Sequence, residues 1–194
     1  MSRPRPWVIV PGIWNSDAEH WQSGWERERG DDAVRIDPAS WGEPEPGDWR
    51  DAISRAVASC AEPPVLVAHS LGVLAVAEWL ATNATNTDGT TTSTVAGAFL
   101  VAPPDPDAPG FPAAAAGFSA PRRVRTAEGA ARTPIRMVVS DDDPYCTLDR
   151  ALGFADAMGA TVLRVGALGH VNVASGVGDW PAGRELLRAF EDTL

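Results

Sequence analysis

Hydrophobic and polar positions along this chain fall into blocks. Trp7-Val8-Ile9-Val10, Val65-Leu66-Val67 and Met137-Val138-Val139 are short unbroken apolar runs. Runs of this length, bounded by Pro, Gly or polar residues, suit strands buried on both faces. The pattern predicts strands near residues 7–11, 34–37, 64–69, 96–102, 135–140 and 161–166. Val34-Arg35-Ile36-Asp37 and Val162-Leu163-Arg164-Val165 carry charge, as edge strands do. Helical signals lie between the strands. Ser16-Asp17-Ala18-Glu19 reads as a capping box, and Gly30 can end the helix that follows. Trp21 and Trp25 share one face of that helix at i, i+4 spacing. Val73, Leu74, Ala77 and Leu80 recur at helical spacing after Ser70, Thr147 can cap a helix ending at Gly159, and Pro181 can open the last one. Alternating strands and helices imply an α/β fold with a mainly parallel sheet of about six strands and helices on both faces.

Composition narrows the picture. At 194 residues, the chain reads as one domain (1–194) with ample length for a core. A formal charge of −10 would repel phosphate backbones, so nucleic acid is not expected as a partner. No apolar stretch is long enough for a membrane span, and Met1 to Pro6 leads straight into a strand without a signal-peptide pattern. A cytoplasmic protein is expected, with Cys60 and Cys146 as free thiols. The low-complexity run Thr82 to Thr94 predicts a mobile polar loop over 82–94. The Pro- and Ala-rich stretch 103–121, with Phe111 and Phe118, predicts a small lid.

Candidate chemistry centres on Ala68-His69-Ser70-Leu71-Gly72, which follows an apolar strand. It is close to the G-x-S-x-G turn that presents a nucleophilic serine between strand and helix, with Ala68 in place of the first Gly. A serine before a helix is more often an N-cap, so the motif needs partners. A serine nucleophile needs a base, and the base needs a carboxylate. Of three histidines, His20 falls in the first helix, and His69, adjacent to the serine, should point away from it. His170, in the loop after the last strand, is the expected base. The acid should lie between Ser70 and His170 in the chain. Asp141-Asp142-Asp143-Pro144 follows a strand, and Asp143 is the choice, three residues past Ser140 and stiffened by Pro144; Asp141 and Asp142 are read as solvated. The triple Asp lacks calcium-loop spacing, so no metal is expected, nor any cofactor. The oxyanion hole should use the Leu71 amide and the Ile13 amide after Pro11-Gly12, with Trp14 as the alternative donor. Trp14, Trp41, Trp49 and Phe111 are expected to line an apolar substrate pocket, while Trp7, Trp21, Trp25 and Trp79 pack helices onto the sheet. Asn172 is expected to brace the His170 loop, and Arg122, Arg123 and Arg125 to lie in a solvated loop.

Several blocks carry a resemblance. They are Val10-Pro11-Gly12-Ile13-Trp14-Asn15-Ser16 with His20-Trp21-Gln22 and Trp25, then Ala68 to Gly72, Leu100-Val101-Ala102-Pro103 and Ser140 to Cys146. The last is Gly169-His170-Val171-Asn172 with Ser175-Gly176 and Trp180-Pro181. Together they resemble the small serine hydrolases of the retinoblastoma-binding protein nine and YdeN-like family. The resemblance implies a reduced α/β-hydrolase fold, six strands with the two charged ones at opposite edges, and Ser70, Asp143 and His170 as a catalytic triad. It also implies that the first two strands of the larger fold are missing. The expected activity is cleavage of a carboxylic ester or small amide from a small-molecule acyl substrate. Alternatives are a thioesterase or acyltransferase with the same residues, or a binding protein on this scaffold. The family's pocket-protein motif, Leu-x-Cys-x-Glu, is incomplete here, because Ala58-Ser59-Cys60-Ala61-Glu62 lacks the Leu.

Overall fold

A computed structural model of the protein describes residues 5–83, 94–123 and 133–194. Most of the expected loop 82–94 and Arg125 therefore lie outside the described residues. Six strands form one sheet: β1 (Trp7–Val10), β2 (Ala33–Arg35), β3 (Val65–His69), β4 (Gly97–Val101), β5 (Ile135–Val139) and β6 (Thr161–Arg164). Their order is β2-β1-β3-β4-β5-β6, and all five pairings are parallel. The charged strands β2 and β6 occupy the two edges. The described residues also form five α-helices, four lying between strands and the last following β6: α1 (Trp21–Arg29), α2 (Pro46–Ser59), α3 (Leu71–Asn83), α4 (Leu148–Met158) and α5 (Pro181–Glu191).

The period of two along a strand sends alternate residues to opposite faces. Val8, Val10, Leu66, Ala68, Leu100, Met137 and Val139 join the core that holds α2, α3 and α4. Trp7, Ile9, Val65, Val67, Phe99, Val101 and Val138 face the other core, against α1 and α5. The central strands are almost wholly apolar because both faces are covered, with Arg136 on β5 and His69 at the end of β3 as exceptions. On α2, Trp49, Ala52, Ile53 and Ala56 lie at i, i+3, i+4, i+7 and are buried. Pro46 at the first position opens this helix, which the sequence reading had passed over.

The capping box expected at Ser16–Glu19 does not form. Helix α1 begins at Trp21, with His20 as the N-cap accepting at Nδ1 from the Gln22 amide, 3.2 Å away. Ser16 is committed elsewhere, donating its hydroxyl to Gln22 Oε1 (2.8 Å) and accepting at its carbonyl from Ser23 Oγ. Gln22 is fully buried and donates to the carbonyls of Val10, at the end of β1, and Val67, in the middle of β3. Gly30 ends α1 at φ +61°, Thr147 caps α4 through the Arg150 amide, and Gly159 closes it at φ +66°.

The chain reverses its direction of winding at β1, which has β2 on one side and β3 on the other. Loops leaving the carboxyl ends of the strands diverge at such a point and open a crevice. The loops after β1 and β3 carry Pro11–Ser16 and Ser70.

Candidate active site

Ser70 sits between β3 and α3 at φ +55°, a left-handed conformation uncommon for a residue with a side chain. It is held there by its amide, which donates to Val101 O, and its carbonyl, which accepts from the Val73 amide. The turn is tight because α3 runs back over β1. A Cβ on Gly72 would fall 2.2 Å from Val10 O and 2.5 Å from Pro11 O, so this position admits no side chain. A Cβ on Gly12 would fall 2.9 Å from Ser70 Cβ, so the β1 loop lies directly against the serine.

Ser70 Oγ is 2.8 Å from His170 Nε2. His170 Nδ1 is 2.8 and 3.0 Å from the two carboxylate oxygens of Asp143. The His170 and Asp143 side chains are 7% and 4% exposed, so this pair works away from bulk water. Asp143 Oδ1 also accepts from the Tyr145 amide, and the Tyr145 ring lies edge-on to His170 at 4.6 Å. Of the three adjacent acids, Asp143 is the one that reaches the imidazole.

The neighbouring acids are not idle loop charges. Asp141 pairs with Arg164 on β6 at 3.0 Å. Asp142 accepts from the Gly169 amide and the Ser140 hydroxyl, both at 2.8 Å, and these bonds hold its carboxyl below the usual range. Ser140 Oγ in turn accepts from the Leu168 amide. Two strand-end side chains thus pin the loop that delivers His170. The far side of that loop is fixed by Trp21, whose indole N–H donates to Val171 O (2.8 Å). Asn172 braces it as expected, exchanging hydrogen bonds with Ser175 around a short turn over Val173–Ser175.

The β1 loop turns through two left-handed residues, Trp14 (φ +66°) and Asn15 (φ +68°). Arg35 on β2 secures it by donating to Asn15 Oδ1 and Ser16 O. The Trp14 amide donates to Trp41 O at 2.9 Å and is not available as an oxyanion donor. The Ile13 and Leu71 amides donate to no other protein group among the described residues.

These elements line a cavity of about 870 Å³. Its apolar wall is Ile13, Leu71, Pro104 and Phe111 through Ala115, and Trp14, 68% exposed, stands at its edge. Trp14 and Phe111 are where the sequence reading placed them. Trp41 and Trp49 are not part of the lining: Trp49 is fully buried on α2, with Trp41 against it at 5.5 Å and Phe118 at 5.7 Å. The missed helix α2 is the reason, since it turns Trp49 into the sheet-facing core. Trp41 serves the loop through its carbonyl.

Two lining residues were misjudged from sequence. His20 and His69 both face the cavity with His170, their rings stepping 4.8 Å from His20 to His69 and 5.0 Å from His69 to His170. His69 is not turned away from the site; its Nε2 is 2.8 Å from His170 O. Burial lowers His20 to about 4 and holds His69 well below the ordinary histidine value. The available signal was that every histidine of this chain lies at or near a loop leaving the carboxyl end of a strand. Cys146 is also buried, and burial with the nearby Asp105 and Asp143 charges pushes its thiol up to about 12, which leaves it protonated.

A family model described as serine hydrolase matches residues 7–189. The chain is similar in structure to a YdeN-like hydrolase of Pectobacterium atrosepticum, at 30% identity and TM-score 0.78 over 97% of this chain and 91% of that one. It is similar to the ydeN gene product of B. subtilis, at 20% identity and TM-score 0.73 over 96% and 98%. The mouse alpha/beta hydrolase domain-containing protein 10 shares the fold at 14% identity and TM-score 0.69 over 100% and 90%. No curated protein matches the chain.

Proposed function

The chain belongs to the serine hydrolase family and is a YdeN-like hydrolase of α/β-hydrolase fold, and from that premise we propose that it cleaves a carboxylic ester or small amide through an acyl-enzyme on Ser70. The observation that carries this reading is the unbroken line of hydrogen-bond distances from Ser70 Oγ through His170 to Asp143. Ser70 Oγ attacks the substrate carbonyl and passes its proton to His170 Nε2. Asp143 orients the imidazole and stabilises the imidazolium. The Leu71 and Ile13 amides receive the oxyanion, which suits their lack of other partners among the described residues. His170 then protonates the leaving alcohol or amine, and the acyl group stays on Ser70. Water, activated by the same imidazole, attacks the acyl-enzyme and releases the acid.

The acyl side of the substrate packs on Phe111 and Trp14 along the apolar wall. Among the described residues the lining holds no Arg and includes the Asp17 carboxylate, so a neutral small molecule suits it better than a polyanion. No helix among the described residues is long and apolar enough to cross a membrane. The test is a fluorophosphonate probe followed by peptide mass spectrometry. The expected result is one adduct on Ser70, absent from Ser70→Ala. Undiminished labelling in Ser70→Ala removes Ser70 as nucleophile.

A further inference from the structure

His20 and His69 contribute ring nitrogens to the cavity that the proposed triad does not use. Both residues are more than nine-tenths buried and both line the cavity beside Ser70. Each is held neutral by burial, so each has one N–H and one lone pair. The surrounding bonds decide which is which. His20 Nδ1 accepts from the Gln22 amide, so its proton is on Nε2. His69 Nε2 faces His170 O, which can only accept, so its proton is on Nε2 and its Nδ1 is an acceptor. His20 Nε2–H and His69 Nδ1 have no protein partner among the described residues. The fully buried side-chain nitrogens without a hydrogen bond among the described residues are Arg29 Nε and Arg184 Nη1, so neither of these histidine nitrogens is fully buried. A donor and an acceptor thus stand on rings 4.8 Å apart, open to the cavity.

We infer that His20 and His69 form a polar subsite for a substrate hydroxyl, so that the ester cleaved at Ser70 carries a free hydroxyl a few bonds from its carbonyl. Among common groups, a hydroxyl donates and accepts through one oxygen. A carboxylate has no proton for His69 Nδ1. An ammonium has no lone pair for His20 Nε2–H. A trans amide carries its donor and acceptor on different atoms pointing apart. A site with both bonds built in favours the hydroxylated substrate over its deoxy analogue, because the analogue leaves both ring nitrogens unpaired. The inference rests on Ser70 being the nucleophile.

The test compares kcat/KM for propyl butyrate, propyl 3-hydroxybutyrate and glycerol monobutyrate, which place the hydroxyl on neither side, the acyl side or the alcohol side. The wild-type protein should prefer at least one hydroxylated ester over propyl butyrate by about tenfold or more. Two variants remove one partner each while keeping its structural bond. His20→Asn retains an N-cap acceptor at the Nδ1 position and loses the Nε2–H. His69→Gln retains a donor toward His170 O and loses the Nδ1 acceptor. In each folded variant the ratio of hydroxylated to plain ester should fall toward one; because it is internal to each protein, a general loss of activity does not imitate it. A fluorophosphonate adduct on Ser70, measured alongside, separates the two readings. Labelling with no hydroxyl preference, with a preference that survives both substitutions, or with none of the three esters turned over, overturns the subsite and makes it a water site only. Failure to label Ser70 overturns the reading of the nucleophile as well.

Discussion

At the scale of single residues, the site depends on which atom each side chain has left over. Asp143 spends one oxygen on both His170 and the Tyr145 amide and the other on His170 alone. Asparagine in its place keeps the size and loses the charge, and its amide N–H₂ competes for the wrong imidazole tautomer. Asp143→Asn should therefore lower kcat on a small activated ester by on the order of 10⁴, measured on protein with an unchanged circular dichroism spectrum. A fall of less than tenfold would remove Asp143 from the mechanism. The choice of Asp143 was legible from its offset past the strand. The work of Asp142 was not, because one of its partners, Gly169 N, is brought to it by the return of a loop 27 residues away, while the other, Ser140 Oγ, is two residues back. Ser16 shows the same limit in reverse. Its spacing to Glu19 is correct for a capping box, but Gln22 and Ser23 take its hydroxyl and carbonyl, and His20 becomes the cap.

At the scale of elements, the decisive contact is the start of α3 on the end of β1. The strand pattern was readable because the central strands are covered on both faces and so are apolar at nearly every position, with Arg136 on β5 and His69 at the end of β3 as exceptions. Its partner order was readable only at the edges, where Arg35 and Arg164 mark β2 and β6. Helix α2 was overlooked although Trp49, Ala52, Ile53 and Ala56 have helical spacing, and Trp49, which the helix buries, was assigned to the pocket with its neighbour Trp41. The α3–β1 contact can be tested through Gly72. Gly72→Ala places a methyl carbon within 2.2 Å of Val10 O, which only a shift of backbone can relieve. The expected outcome is a loss of roughly 1–3 kcal/mol in urea unfolding, as for an overpacked core. Activity should fall further than stability alone requires, since the same shift moves the Leu71 amide. An alanine variant with wild-type stability and turnover would show that this contact does not set the turn.

For the whole molecule, buried neutral histidine links folding to pH. His20 titrates at about 4 in the folded protein against 6.5 for the free side chain, with burial the main cause. Above 6.5 it is neutral in both states and contributes no pH dependence. Below 6.5 the unfolded chain takes up a proton that the folded one refuses until about 4. Stability should fall over that window by roughly 3 kcal/mol on account of His20, with His69 acting in the same direction. Urea unfolding at pH 7 and pH 4.5 should show a smaller difference in His20→Asn than in the wild-type protein; equal slopes would mean that His20 is solvated in the folded state. The placement of these residues has one more consequence. The sequence holds three histidines, and all three lie in one row along the cavity wall. In a proton NMR spectrum, every imidazole signal from the folded protein then belongs to the site, with no surface histidine to obscure it. The wild-type chain carries its own spectroscopic label, and a ligand entering the cavity can be followed through three resonances without isotope, tag or substitution.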